Sequence, residues 1–230
     1  MKDLSIIIPV YNNANFTKSC LEDLSKLDIN AEIIIVDNAS EDNTSDVVSD
    51  AWVKKGSRDW LVYHRNDENL GFGAANNIGY AISTGKHVMF LNNDIRVDMR
   101  HEDWPKLLMD SDGIMGVQSG RINSRYEPLG EGVFDPGVKG GYLSGWCLCA
   151  TRDIWDKLVL PGQTGPWDED FFLYYEDDDL SFRAKKAGIP LLVGAIPVHH
   201  YSRVTGKKYN MFYFLKKSKR IFKKKWPEIV

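Results

Sequence analysis

Between Phe171 and Leu180 an apolar, aromatic run meets four consecutive carboxylates, Glu176-Asp177-Asp178-Asp179. Adjacent carboxylates repel one another and lose hydration if buried, so folding alone gives no reason to set four beside a core segment. A helix over Leu180 to Ala187 would accept one or two acids in its first turn through its dipole, but not four. The pattern predicts a positive partner close by. Three further polar clusters each begin where an apolar run stops: Tyr11-Asn12 after Pro9 and Val10, Asp37-Asn38-Ala39-Ser40 after Ile33 to Val36, and Asn92-Asn93-Asp94 after Leu91. Loops are polar in most proteins, yet three such clusters in one order point to a nucleotide site.

The elements that must carry these residues follow from the apolar runs. Leu4 to Val10, Glu32 to Val36, Trp60 to His64 and Lys86 to Leu91 are rich in β-branched and aromatic residues and show no alternation, as strands covered on both faces do. Helical patterns separate them, at about Asn15 to Leu27, Asp42 to Lys54 and Gly73 to Ser83. The order β-α-β-α-β-α-β implies a mostly parallel, Rossmann-like sheet flanked by helices, with ligands collecting at the carboxyl ends of its strands. Gly71-x-Gly73 resembles a dinucleotide fingerprint, but Asn76 stands where the third glycine belongs and Asn66-Asp67-Glu68 precede it, which excludes the dehydrogenase reading. These glycines are expected to form a tight loop from Asn69 into the helix.

A chain of 230 residues, 43% of them hydrophobic, is long enough for one full core. No apolar stretch reaches the roughly 20 residues that span a bilayer, and Met1 to Val10 lacks a cleavable-signal pattern, so a cytoplasmic protein is expected. The cysteines, Cys20, Cys147 and Cys149, form no C-x-x-C pair and suggest neither a disulfide framework nor a zinc site. The net charge of −3 conceals an asymmetry: residues 207–230 carry nine Lys or Arg against Glu228, hence +8, leaving −11 on the preceding 206. An acidic body argues against nucleic acid as a partner.

Taken together, Leu4 to Tyr11, Ile33 to Ser40, Asn69 to Asn77, Leu91 to Asp94 and Asp170 to Leu180 resemble, in order, the motifs of the inverting glycosyltransferase family 2, and most closely its rhamnosyltransferase-like bacterial members. The resemblance implies a GT-A fold with a small antiparallel element in the acceptor half, a nucleotide-sugar half over about 1–98 and an acceptor half over about 99–206. It implies transfer of a sugar from a UDP- or dTDP-linked donor to a hydroxyl of a glycan or lipid-linked acceptor. By the same resemblance Pro9, Tyr11, Asn12, Asp37, Asn38, Asn69, Gly71, Asn76, Asn92 and Asn93 lie at the nucleotide, with Asp37 meeting a pyrimidine base. Asp94 takes the last acid of the family's D-x-D position and binds a divalent metal, Mn²⁺ or Mg²⁺. Asn92 replaces the first acid, which removes one negative charge. Asp177 matches the catalytic base, a role a carboxylate fills by taking the proton of the attacking hydroxyl. Asp179 is expected to cap the helix, and Trp146, Glu176 and Asp178 to stand at the acceptor or donor sugar, with Asp178 largely solvated. His199, favoured over His200, completes the metal site, and Ser202, Arg203 and Lys207 close over the phosphates.

Residues 207–230 place aromatic residues among nine cations, a pattern that fits either a basic amphipathic helix touching a membrane or a terminal helix packed on the core. Two other readings stay open from the sequence: a sugar-phosphate nucleotidyltransferase, and a silent sugar-nucleotide-binding module suggested by Asn92.

Overall fold

The computed structural model describes residues 2–55, 60–97, 103–132, 134–201 and 211–228. Ser202, Arg203 and Lys207, expected over the phosphates, lie outside them. The first half alternates β1 (Leu4–Val10), α1 (Ala14–Leu24), β2 (Ala31–Asp37), α2 (Thr44–Lys55), β3 (Leu61–Arg65), α3 (Phe72–Ile82) and β4 (His87–Leu91), followed by β5 (Ile95–Val97) and α4 (Lys106–Met109). The second half contains β6 (Ile114–Gly116), β7 (Ser119–Ile122), β8 (Pro128–Gly132), β9 (Gly141–Leu143), β10 (Cys147–Thr151), α5 (Arg152–Asp156), α6 (Glu176–Lys186), β11 (Leu191–Val193), β12 (Val198–His200) and α7 (Met211–Lys225).

Seven strands form the central sheet in the order β11-β6-β10-β4-β1-β2-β3. The pairs β1–β2, β1–β4, β2–β3 and β6–β11 are parallel, and β10 runs antiparallel to both β4 and β6. The absence of alternation in β1 has its cause here. Ile6, Ile8 and Val10 pack with Leu21 and Leu24 of α1 and Val48 of α2, whereas Ile7 packs on the other face with Ala75 and Tyr80 of α3. Each fully buried aliphatic side chain of this kind contributes roughly 1.5–3 kcal/mol.

In the acceptor half, residues 140–150 form two strands: β9 pairs with β7 in a small antiparallel sheet, and β10 joins the central sheet. Ser144-Gly145-Trp146 connects them. Helix α6 starts at Glu176 and not at Leu180, so all four acids occupy its first turn. It starts abruptly because Tyr174 and Tyr175 both adopt left-handed φ, 70° and 67°. That conformation is unfavourable for a bulky side chain. It is held in place because Tyr175 is buried against Phe222 and donates its hydroxyl to the Tyr126 carbonyl at 2.7 Å.

The basic C-terminal segment is helix α7, and one face of it is packed. Phe222 is fully buried among Phe171, Tyr175, Phe182 and Tyr126, and Phe214 stacks on Phe172 at 4.7 Å. No described helix is long and apolar enough to cross a membrane.

Candidate functional site

The carboxyl ends of β1, β2 and β3 are locked by polar ties. Asn12 donates its backbone N–H to Ser40 Oγ at 2.7 Å and accepts from the Glu41 N–H at 2.8 Å. Asn38 donates to the Gly71 carbonyl at 3.0 Å and accepts from Asn66 at 2.8 Å, binding three loops together. Gly71 donates its N–H to Asn69 Oδ1 at 2.9 Å and has φ 92°; a Cβ there would lie 2.6 Å from the Phe172 carbonyl oxygen, so only glycine fits. Pro9 sits within β1, and Tyr11 is half-buried just beyond it.

Asp37 is fully buried and so does not itself offer a face to a base. Its Oδ2 accepts from Arg65 and from the Tyr63 hydroxyl, each at 2.6 Å, and its Oδ1 from the Ser40 N–H at 2.8 Å. The parallel register sets Asp37 beside Arg65 at the end of β3. Arg65 keeps 45% of its side chain exposed, so the guanidinium, not the carboxylate, meets solvent at this rim. Burial and the bond to Asp37 push the Tyr63 hydroxyl up to about 12.

At the end of β4 the three polar residues part company. Asn93 turns inward and donates to Thr17 Oγ1 of α1 at 3.0 Å, so it braces the loop and does not face the rim expected for it. Asp94 Oδ1 lies 3.0 Å from His200 Nε2, and Asn92 Nδ2 lies 3.5 Å from that nitrogen. The expectation for His199 is corrected. In β12, which pairs with β5, successive side chains alternate in direction. His199 is therefore exposed, edge-on to Tyr201, while His200 is turned toward Asp94.

Ser144-Gly145-Trp146 joins this corner to the acidic helix. The Trp146 ring stacks on His200, with centroids 4.7 Å apart and planes 13° from parallel, and its Nε1 donates to Gln118 Oε1 at 2.8 Å. The neighbouring Gly145 N–H donates to Asp177 Oδ2 at 3.0 Å, and the Asp178 N–H donates to Asp177 Oδ1 at 3.0 Å. Two consecutive residues thus touch the Asp94–His200 pair and Asp177 at once. Asp177 is the partly exposed member of the acidic turn, since Glu176, Asp178 and Asp179 are all buried.

The four acids resolve into three environments. Asp179 is neutralised by cations: Arg183 Nε at 2.7 Å and Lys225 Nζ at 2.8 Å, with the Trp226 indole N–H also donating to it at 2.8 Å. It is no cap, because its side chain bonds outward to these groups. Lys225 also pairs with Asp168. Burial alone would raise Asp168, but the bond and charge of Lys225, the Asp170 N–H and the charge of Arg183 together outweigh it and hold that carboxyl below the usual range. Glu176 and Asp178 are raised well above that range, first by burial and then by the charge of Asp177. Asp178 is therefore buried, not solvated as expected. Asp177 remains as the carboxylate supported by two backbone N–H groups, bonds that favour its charged form.

Several buried side-chain atoms bordering these loops have no protein partner among the described residues: Asn76 Oδ1, Asn92 Oδ1, Ser144 Oγ, Trp167 Nε1, Glu176 Oε2 and Asp178 Oδ1. Leaving such a group unpaired costs about 1–3 kcal/mol. Asn76 spends its other end on the Phe72 carbonyl at 3.1 Å.

Residues 5–112 match the family model described as Glycosyl transferase family 2. The match covers just under half of the chain. An uncharacterised glycosyltransferase of Rickettsia felis is 30% identical over 148 residues, covering 62% of this chain and 22% of that protein. The poly(ribitol-phosphate) beta-glucosyltransferase of Bacillus spizizenii is 32% identical over 94 residues, covering 40% of this chain and 14% of that one. The chain spans less than a third of the length of the curated relatives it matches. Among solved structures, a mannosyltransferase of Pyrobaculum calidifontis in complex with GDP-Man and Mn²⁺ superposes with a TM-score of 0.61 at 20% identity, over 83% of this chain and 54% of that one. Residues 1–349 of Staphylococcus aureus TarS in complex with UDP-GlcNAc do so with a TM-score of 0.60 at 18% identity, over 91% and 62%. These likenesses show the GT-A fold for this chain.

The donor atoms at the end of β4 fit a divalent metal. Asp94 supplies a carboxylate oxygen and His200 an imidazole nitrogen side by side, and Asn92 Oδ1 is buried beside them without a partner. A mixed oxygen and nitrogen set suits Mn²⁺ better than Mg²⁺. Two protein ligands leave room for substrate oxygens, and no group of three or more acids, histidines or cysteines forms a metal cage among the described residues.

The raised carboxyl of Asp178 makes stability depend on pH. The unfolded chain releases that proton near the ordinary carboxylate value of about 4, whereas the folded chain retains it to higher pH. Stability is therefore lost as pH rises between those two values and stays lower above them. Asp178→Asn is expected to raise Tm by about 2–4 °C at neutral pH, on the order of 1 kcal/mol for a chain of this size, with no gain near pH 4. Melting curves of the two proteins across pH check this; equal curves at neutral pH would refute the buried, raised carboxyl.

Proposed function

We propose that the chain is an inverting glycosyltransferase that moves a sugar from a nucleoside diphosphate to an acceptor hydroxyl, with Asp177 as the base. The observation that supports this most is the Gly145-Trp146 link. It sets a hydrogen-bonded, partly exposed carboxylate beside an oxygen and nitrogen pair suited to a metal, at the carboxyl rim of the sheet. Glu176 and Asp178, both held toward their neutral forms, keep the acidic turn from repelling an anionic donor.

In this reading the acceptor hydroxyl approaches Asp177 and its oxygen attacks the anomeric carbon. Asp177 takes the proton, and the bond to the diphosphate breaks with its electron pair going to the leaving oxygen. Attack from the side opposite the leaving group inverts the anomeric centre. Asp94 and His200 would hold a divalent ion, with Asn92 beside them; when bound, such an ion would offset charge developing on the diphosphate. Trp146 keeps the His200 ring in plane. Arg65, backed by Asp37, is assigned to the carbonyl edge of a base, which favours UDP- or dTDP-linked donors. Glycan or lipid-linked molecules are the acceptors, and the buried free thiols of Cys20, Cys147 and Cys149 suit a cytoplasmic setting.

A thermal-shift panel of nucleoside diphosphates and nucleotide sugars, with and without Mn²⁺, tests the donor site. A ligand at a hundred times its Kd should add about 2.7 kcal/mol of stability. The expected result is a rise with one diphosphate and Mn²⁺ together, lost in Asp94→Ala and His200→Ala. No rise with any nucleotide would reject the reading.

A further inference from the structure

The outward face of α7 carries exposed aromatic and basic side chains that the site does not use. A helix advances about 100° per residue, and at that pitch Phe212, Tyr213 and the five cations Lys216, Lys217, Arg220, Lys223 and Lys224 fall within one arc roughly 140° wide. No acid interrupts the arc, and none of the five cations forms an ion pair among the described residues. The opposite arc holds Phe214, Leu215, Ser218, Ile221, Phe222 and Lys225, all turned to the protein. Phe212 is 79% exposed and Tyr213 58%, the former among the most exposed large apolar side chains described.

We propose that this face of α7 lies on an anionic lipid surface, with Phe212 and Tyr213 entering the headgroup layer and the five cations above it. Charge alone would suit any polyanion. The aromatic pair decides for lipid, because a phenyl ring held in water beside cations gains from an apolar phase, which a phosphate chain does not offer. Because the apolar side of α7 is already buried in the protein, the contact is mainly electrostatic, with each Lys or Arg near such a surface contributing and salt weakening it.

The contact also determines which part of the molecule meets the membrane. The inner face of α7 holds the segment that leads into the acidic turn: Ser218 Oγ donates to the Leu173 carbonyl at 2.7 Å, and Lys225 and Trp226 bond Asp179. Lipid under α7 is thus tied through that helix to the segment leading into the acidic turn. The proposal stands independently of the transferase reading, since it uses none of the site residues.

The test is co-sedimentation of the whole chain with phosphatidylcholine vesicles, either neutral or containing about one-third phosphatidylglycerol. Binding is expected only to the anionic vesicles and should fall at least about tenfold as salt rises toward roughly 0.3 M. The triple variant Lys216→Glu, Arg220→Glu, Lys223→Glu should lose about a hundredfold or more, and Phe212→Ser with Tyr213→Ser several-fold, both with Tm unchanged because these side chains face outward. Absent binding, or equal binding to neutral vesicles, would overturn the proposal. So would soluble polyphosphate binding to the Phe212→Ser, Tyr213→Ser protein as tightly as to the parent, together with vesicle binding unaffected by that change; the face would then belong to a polyanion.

Discussion

Asp177→Asn abolishes sugar transfer, lowering kcat by about 10²–10⁴-fold, while nucleotide affinity and Tm stay near those of the parent. The size follows from removing general-base assistance. The selectivity follows from local geometry. The asparagine carbonyl can still accept the Gly145 N–H, so the link between the two ends of the site survives. The donor contacts proposed for Asp94, His200 and Arg65 do not involve Asp177. Single-turnover rates with a nucleotide sugar, set beside nucleotide titration of the same variant, check both halves. Full activity in Asp177→Asn would remove the carboxylate from its role, and joint loss of rate and nucleotide binding would make it structural.

The second large effect is on stability and concerns Asp179. This carboxylate is fully buried and joins Arg183, Lys225 and the Trp226 indole; Arg183, itself 10% exposed, also donates to the carbonyls of Leu158 and Pro166 at 2.6 Å. Removing one partner of such a group leaves cations buried without compensation, which costs about 3–5 kcal/mol. For a chain of this size Asp179→Ala should lower Tm by roughly 10 °C or more. Because the network is buried, raising salt should change the loss little. Asp179→Asn, which keeps an acceptor for the indole, should recover part of it. A shift of less than about 2 °C in Asp179→Ala would show that the network contributes little to holding α7 on α6.

The sheet was largely legible because its strands are uninterrupted β-branched runs, and the polar residues following them were legible as a rim. Register was not. Nothing in Asp37 or Arg65 taken separately announces an ion pair; it arises because β2 and β3 run parallel with those residues opposite one another. The choice between His199 and His200 turned on the same kind of fact, since a strand shifted by one residue exchanges its faces. The acidic run misled about where α6 begins because two tyrosines take a conformation that sequence patterns assign to glycine or asparagine. Arg183 did carry a local signal, standing four residues after Asp179 on one helix face. Lys225 carried none, because its partners are 46 and 57 residues earlier in the chain.

That separation bears on how the protein is made. Asp168 and Asp179 leave the ribosome well before Lys225 and Trp226 do, so the acceptor half emerges with buried positions for charges whose counterions are still to be synthesised. The β-α-β half, with its neighbouring strands close in sequence, can assemble first, while the segment around Asp177 must wait for α7 to dock. A nascent chain halted before α7 would expose Phe171, Tyr175 and Phe182 together, a surface suited to capture by a chaperone. Activity would then be acquired only once α7 closes over the acidic turn.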